Sequence, residues 1–142
     1  GSKGKALLTS PRRRTKQLAN LLAQRLNLDL LEEERLAEMD FGEWEGNLWD
    51  DVPKSAIDLW TKDFNNHAFG GGESTGQLLD RVWQLMKNAK NRNEDQIWVT
   101  HAGVIKAVQF LINTGEPYIK SAADWPLETT NFGDWIIVDV TT

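Results

Sequence analysis

The chain has 142 residues, 40% hydrophobic and 26% charged, with a formal net charge of −5 and no cysteine. That length suits one domain with its own core and falls short of two. The acidic balance argues against a general nucleic-acid binder, which needs a basic surface, and the lack of cysteine excludes disulfides, cysteine nucleophiles and thiolate metal sites.

In chain order, Ala6-Leu7-Leu8 is a short apolar run that stops at Ser10-Pro11. This is the pattern of a strand followed by a helix, with Ser10 as N-cap and Pro11 in the first helical position. Leu18, Leu22 and Leu26 recur at four-residue spacing and carry that helix to about Leu26. A short strand is predicted around Leu28 to Leu31. The segment from Glu38 to Gly46 follows, whose glycines and acids mark a loop.

Pro53 opens a helix to about Lys62 that buries Ile57 and Trp60, and Gly70-Gly71-Gly72 lies in a connecting loop. Ser74 and Gln77 have capping-box spacing and start a helix to about Asn91, with Leu78, Val82, Leu85 and Ala89 facing inward. Gln96 to Thr100 reads as a strand, His101-Ala102-Gly103 as a tight junction, Val104 to Asn113 as a helix, and Trp135 to Val140 as the last strand. No repeat or linker interrupts this order, so residues 1–142 read as a single domain. Strands alternating with helices predict a three-layer α/β sandwich with a mostly parallel sheet. The unbroken apolar runs Ile97-Trp98-Val99 and Ile136-Ile137-Val138 fit strands covered on both faces. No apolar run reaches the length of a membrane span and no signal-peptide pattern opens the chain, so the cytoplasm is the expected compartment.

Open α/β sheets bind ligands beyond the carboxyl ends of their strands, where helices begin. Two such junctions stand out: Thr9-Ser10-Pro11-Arg12-Arg13-Arg14 and Val99-Thr100-His101-Ala102-Gly103. Each offers backbone N–H groups and the positive end of a helix dipole, and both favour an anion. Three arginines in a first helical turn are unfavourable unless an anion offsets them, which points to bound phosphate. On a helical wheel Arg13 lies opposite the leucine stripe, whereas Arg12 and Arg14 lie at its borders, and the wheel does not choose between those two. His101 falls at the rim of the sheet, within reach of a ligand; His67, in a polar loop, reads as surface. Among Glu38, Asp40, Glu43 and Glu45, a phosphate-ester hydrolase would need one as general acid. Trp44 reads either as packing or as the wall of a substrate pocket. The two histidines are not placed like metal ligands, and neither a metal nor an organic cofactor is expected.

Together these segments resemble the histidine phosphatase, or phosphoglycerate-mutase-like, superfamily. Ser10-Pro11-Arg12-Arg13-Arg14-Thr15 is similar to its Ser-Pro-x-x-Arg-[Ala/Thr] motif, which implies Arg14 as the phosphate-binding arginine. Glu38 to Gly46 resembles its Glu-x-x-Phe-Gly-x-Trp-Glu-Gly stretch, which implies Glu38 as proton donor. Gly71-Gly72-Glu73-Ser74 is similar to its Gly-Gly-Glu-Ser helix start, and Val99 to Ile105 to the segment of its second catalytic histidine, here His101, with the Ala102 N–H beside the phosphate. The wording looks most like the α-ribazole phosphatases of cobalamin synthesis. Broad-specificity phosphatases and mutase-like relatives share much of it.

The resemblance implies a small phosphorylated substrate, with no nucleic acid or membrane involved. It also implies a central first strand ending in Arg-His-Gly, whose histidine is the nucleophile. No such triplet occurs in the 142 residues. The expected fold is therefore phosphoglycerate-mutase-like without that strand, leaving an exposed strand edge on which a homodimer could form, and half an active site. A non-catalytic phosphate-binding module is the competing expectation.

Overall fold

β1 (Gly4–Thr9) lies between β2 (Leu30–Glu32) and β3 (Glu94–Val99), parallel to both. β4 (Trp135–Val138) pairs antiparallel with the other side of β3, so the strand order is β2-β1-β3-β4. The computed structural model describes residues 4–127 and 135–138. The predicted end of the last strand, residues 139–140, lies outside them.

Register sets which side chains face which layer. Leu7 pairs with Ile97, Leu8 with Trp98 and Thr9 with Val99. Because successive strand residues point to opposite faces, Leu7 and Val99 face one side, where they pack with Ala19, Leu18 and Leu22 of α1 (Arg13–Leu26). Ala6, Leu8 and Trp98 face the other, against α3 (Thr75–Asn91) and α4 (Ala102–Thr114) through Leu78, Leu79, Val82, Leu85, Val104, Ile105 and Val108. The result is the expected three-layer α/β sandwich with a mostly parallel sheet. β1 and β3 are each paired on both sides, and among the described residues the outer strands are β2 and β4.

The helix over 75–91 starts as predicted. Ser74 Oγ accepts from the Gln77 N–H at 3.1 Å and Gln77 Oε1 accepts from the Ser74 N–H at 2.9 Å. α2 (Lys54–Lys62) follows Pro53 with Ile57 and Trp60 half-buried. Trp60 stacks on Phe69 (centroids 4.4 Å apart) and Phe64 (5.0 Å), an aromatic cluster that joins this helix to the main core.

One local expectation fails. Ser10 does not cap α1, which begins at Arg13 with Arg12 in the N-cap position and no side-chain cap. The Ser10 N–H bonds to the Val99 carbonyl at 3.0 Å, prolonging the β1–β3 ladder by one residue. The chain is thus still strand-like at Ser10, and its hydroxyl meets the side chains of Thr15 and His101 rather than a backbone N–H of the helix start.

Candidate active site

A cavity of about 440 Å³ at the carboxyl ends of β1 and β3 is lined by Arg12, Arg13, Arg14, Thr15, Glu38 and His101. Three of the residues singled out in the sequence, Arg14, Glu38 and His101, therefore meet in one place although they lie far apart in the chain. Arg13, expected to face away, lines the same cavity. The cavity lies beyond the helix end, and helical side chains lean toward the N-terminus, so first-turn residues reach it from any face.

Three guanidinium groups face one carboxylate here. Among the described residues no acid pairs with Arg12, Arg13 or Arg14, and the first turn of α1 contains no acid. α4 also starts at this cavity, with His101 as its N-cap and no side-chain cap. Two helix starts whose N-cap side chains make no cap bond, and three cations, favour an anion in the cavity.

Glu38 reaches this basic cavity on an irregular segment fixed at several points. The buried Thr100 hydroxyl donates to the Leu36 carbonyl, and Arg81 donates to the Arg35 carbonyl at 2.6 Å. Arg81 also forms a two-point ion pair with Glu73 (2.8 and 3.1 Å), while the Glu73 N–H donates to the Asp40 carbonyl at 2.8 Å. Arg35 donates to Glu33 at 2.9 and 3.1 Å, and that hydrogen bonding holds the Glu33 carboxyl below its ordinary value.

The glycines of the two loops allow the backbones to touch. A Cβ on Gly72 would lie 2.4 Å from the Asp40 carbonyl oxygen, and one on Gly42, at φ +55°, 2.1 Å from that of Gly70. The carboxylate itself accepts from the Met39 N–H at 2.9 Å and the Gly103 N–H at 3.2 Å. Through that second bond Glu38 uses one of the N–H groups at the start of α4.

Ala102, the first residue of α4, is exposed and adjoins His101 without lining the cavity. Asp40 lines a neighbouring cavity of about 430 Å³ that shares Glu38. Trp44 and Glu45 line a third, with Phe41 and Trp49, away from the arginines. His67 is half-buried and apart from the site. Among the described residues no group of three or more His, Cys, Asp or Glu could hold a metal ion, and no helix is long and apolar enough to cross a membrane.

Two buried hydroxyls escaped the sequence reading. Ser10 Oγ lies 3.0 Å from His101 Nε2 and 2.7 Å from Thr15 Oγ1, and both residues are almost fully buried. Their signal was the motif's own Ser and Thr, which the local helix-cap pattern of Ser10 obscured.

Cations, helix starts, an imidazole and a carboxylate thus meet at the carboxyl ends of parallel strands in an α/β fold. The chain belongs to the histidine phosphatase superfamily (branch 1), whose profile it matches over residues 1–128. It is 28% identical over 107 residues to phosphoserine phosphatase 1 of Hydrogenobacter thermophilus, an alignment covering 72% of this chain and 51% of that protein. The chain spans about half the length of the curated relatives it matches.

Its fold is similar to that of mycobacterial glucosyl-3-phosphoglycerate phosphatase, with a TM-score of 0.70 at 20% identity over 96% of this chain and 72% of that one. It is also similar to that of the α-ribazole phosphatase from Shigella flexneri, with a TM-score of 0.60 at 23% identity over 75% of this chain and 54% of that one. These likenesses establish the phosphoglycerate-mutase-like fold.

Proposed function

We propose that this fold serves a phosphate-monoester hydrolase acting through a phosphohistidine. The observation that carries the proposal is the meeting of Arg14, Glu38 and His101 around one anion-ready cavity. A histidine outside these 142 residues attacks the phosphorus in line as the ester P–O bond breaks, and Glu38 gives its proton to the departing alkoxide. Water then attacks the phosphohistidine while Glu38 takes the proton back, releasing phosphate and free histidine. Arg14, His101 and the Ala102 N–H hold the non-bridging oxygens and offset their growing charge.

α-Ribazole-5′-phosphate, in cobalamin synthesis in the cytoplasm, is the substrate that the sequence wording favours. Phosphoserine is the alternative raised by the 28%-identical relative, and broad specificity by the shared motif wording. A homodimer is proposed on the outer sheet edges. In the complete domain, Glu38→Gln is expected to lower turnover of alkyl phosphates about 100-fold or more, with a much smaller effect on an activated aryl phosphate. Equal turnover of alkyl phosphates by wild type and variant would remove Glu38 as the acid. Comparing kcat/KM for α-ribazole-5′-phosphate and phosphoserine decides between those substrates.

One observation favours a second reading for the chain by itself. Its 142 residues contain no Arg-His-Gly triplet, so they would bind phosphate without turning over an ester. Calorimetry with inorganic phosphate, beside an assay of ester hydrolysis, separates the two. Binding without hydrolysis supports the module, whereas hydrolysis abolished by His101→Ala rules it out.

A further inference from the structure

The hydroxyls of Ser10 and Thr15 raise a proton-counting question that the geometry answers. Thr15 has one hydroxyl proton, and its Oγ1 faces two carbonyl oxygens, that of Arg12 at 2.9 Å and that of Ser10 at 3.2 Å. Carbonyl oxygens only accept, and two of them face this hydroxyl against one Ser10 oxygen that can itself donate, so the Thr15 proton is assigned to the carbonyl pair. Each carbonyl also accepts one other bond, that of Ser10 from Thr9 Oγ1 and that of Arg12 from the Lys16 N–H, both at 3.0 Å, and the shorter distance makes the Arg12 carbonyl the better acceptor.

With its proton so placed, Thr15 Oγ1 meets Ser10 Oγ, 2.7 Å away, only as an acceptor. Ser10 therefore spends its own proton on Thr15. Its oxygen can then meet His101 Nε2, at 3.0 Å, only by accepting, and that nitrogen must carry a proton. Neither hydroxyl has water to exchange with, since Ser10 is 0% and Thr15 1% exposed.

We propose that Ser10 and Thr15 are positioning residues: they form a one-way hydroxyl chain, His101 Nε2–H to Ser10 to Thr15 to the Arg12 carbonyl, that fixes the tautomer and plane of His101. The neutral ring is the Nε2–H form, and the ring gains or loses its second proton at Nδ1. The chain ends on the residue that begins the arginine turn, so the imidazole of one layer is set by the backbone of another. The tautomer rests on this direction of the hydroxyl chain. Its use in holding phosphate rests on the function proposed above.

Nitrogen-15 NMR of the full chain tests this directly, because the only other histidine, His67, serves as an internal reference. The wild-type His101 ring, titrated to neutrality, is expected to be Nε2–H. Thr15→Val removes the acceptor for the Ser10 proton, which then turns to Nε2 and inverts the ring to the Nδ1–H tautomer, while Thr15→Ser restores Nε2–H. A role in packing alone would loosen the ring without inverting it.

Ser10→Ala is expected to weaken inorganic phosphate binding about 2- to 10-fold, the range for losing one hydrogen bond. An Nδ1–H wild-type ring overturns the proposal even if a variant fails to fold, and so does a folded Thr15→Val protein that keeps Nε2–H. If phosphate leaves the wild-type His101 signals unmoved, the phosphate site fails while the tautomer assignment stands or falls on its own result.

Discussion

Gly103 and Glu38 compete for the same space. A Cβ on Gly103 would lie 2.3 Å from Glu38 Oε1, and what it meets is the end of a flexible side chain rather than backbone. Gly103→Ala should therefore displace the carboxylate at little cost to the fold. Alanine is also the better helix former, by less than the interior difference of about 1 kcal/mol because position 103 lies in the first turn of α4. The expected outcome is a melting temperature unchanged or slightly raised, with alkyl-phosphate turnover in the complete domain falling toward that of Glu38→Gln. Thermal unfolding and paired kinetics with alkyl and activated aryl esters check this. A destabilised protein with normal leaving-group dependence would show that the glycine serves packing instead. Glu38 was legible in the sequence through its motif, but the need for a bare Cα at position 103 was not, since the two residues meet only through tertiary contact.

Elements whose boundaries are set by neighbours in the chain were readable; those set by distant neighbours were not. Ser74 and Gln77 lie within one helical turn, so their reciprocal bonds follow from spacing alone, and the helix starts where the spacing says. Ser10 carries the same local signal, yet the Val99 carbonyl and the His101 ring, about ninety residues away, hold it instead. Nothing within one turn of Ser10 announces that competition. The contrast is measurable. Ser74→Ala should cost about 1 kcal/mol, typical of a lost N-cap, and leave the phosphate affinity of the chain unchanged. Urea unfolding beside a phosphate titration reads both quantities, and a change in affinity would mean that the Glu73–Arg81 support of the Glu38 segment depends on this cap.

At the scale of the whole molecule, the sequence shows the layers but not their unequal depth. The only buried residues of α1 are Thr15 and Ala19, whereas α3 and α4 bury most of one face each. Leu26, the last of the predicted leucine stripe, is 48% exposed, because α1 ends there and Asn27 turns left-handed at φ 54°. A layer held by few buried apolar groups opens at lower free energy than the rest of a domain. This thin layer also carries Arg12, Arg13 and Arg14, while His101 starts a helix of the thick layer and Glu38 is bonded to it. A phosphate held between them would bridge the two layers, and its binding energy would oppose any opening that separates them. Ligand at 100 times its Kd adds about 2.7 kcal/mol to the free energy of such an opening. Hydrogen-exchange mass spectrometry of the chain, with and without inorganic phosphate, should therefore show α1 exchanging faster than α3 and α4 in the free protein. Phosphate should then slow α1 by up to about 100-fold while changing the core of α3 little. A uniform slowing of all helices would mean instead that α1 leaves the sheet only when the whole domain unfolds.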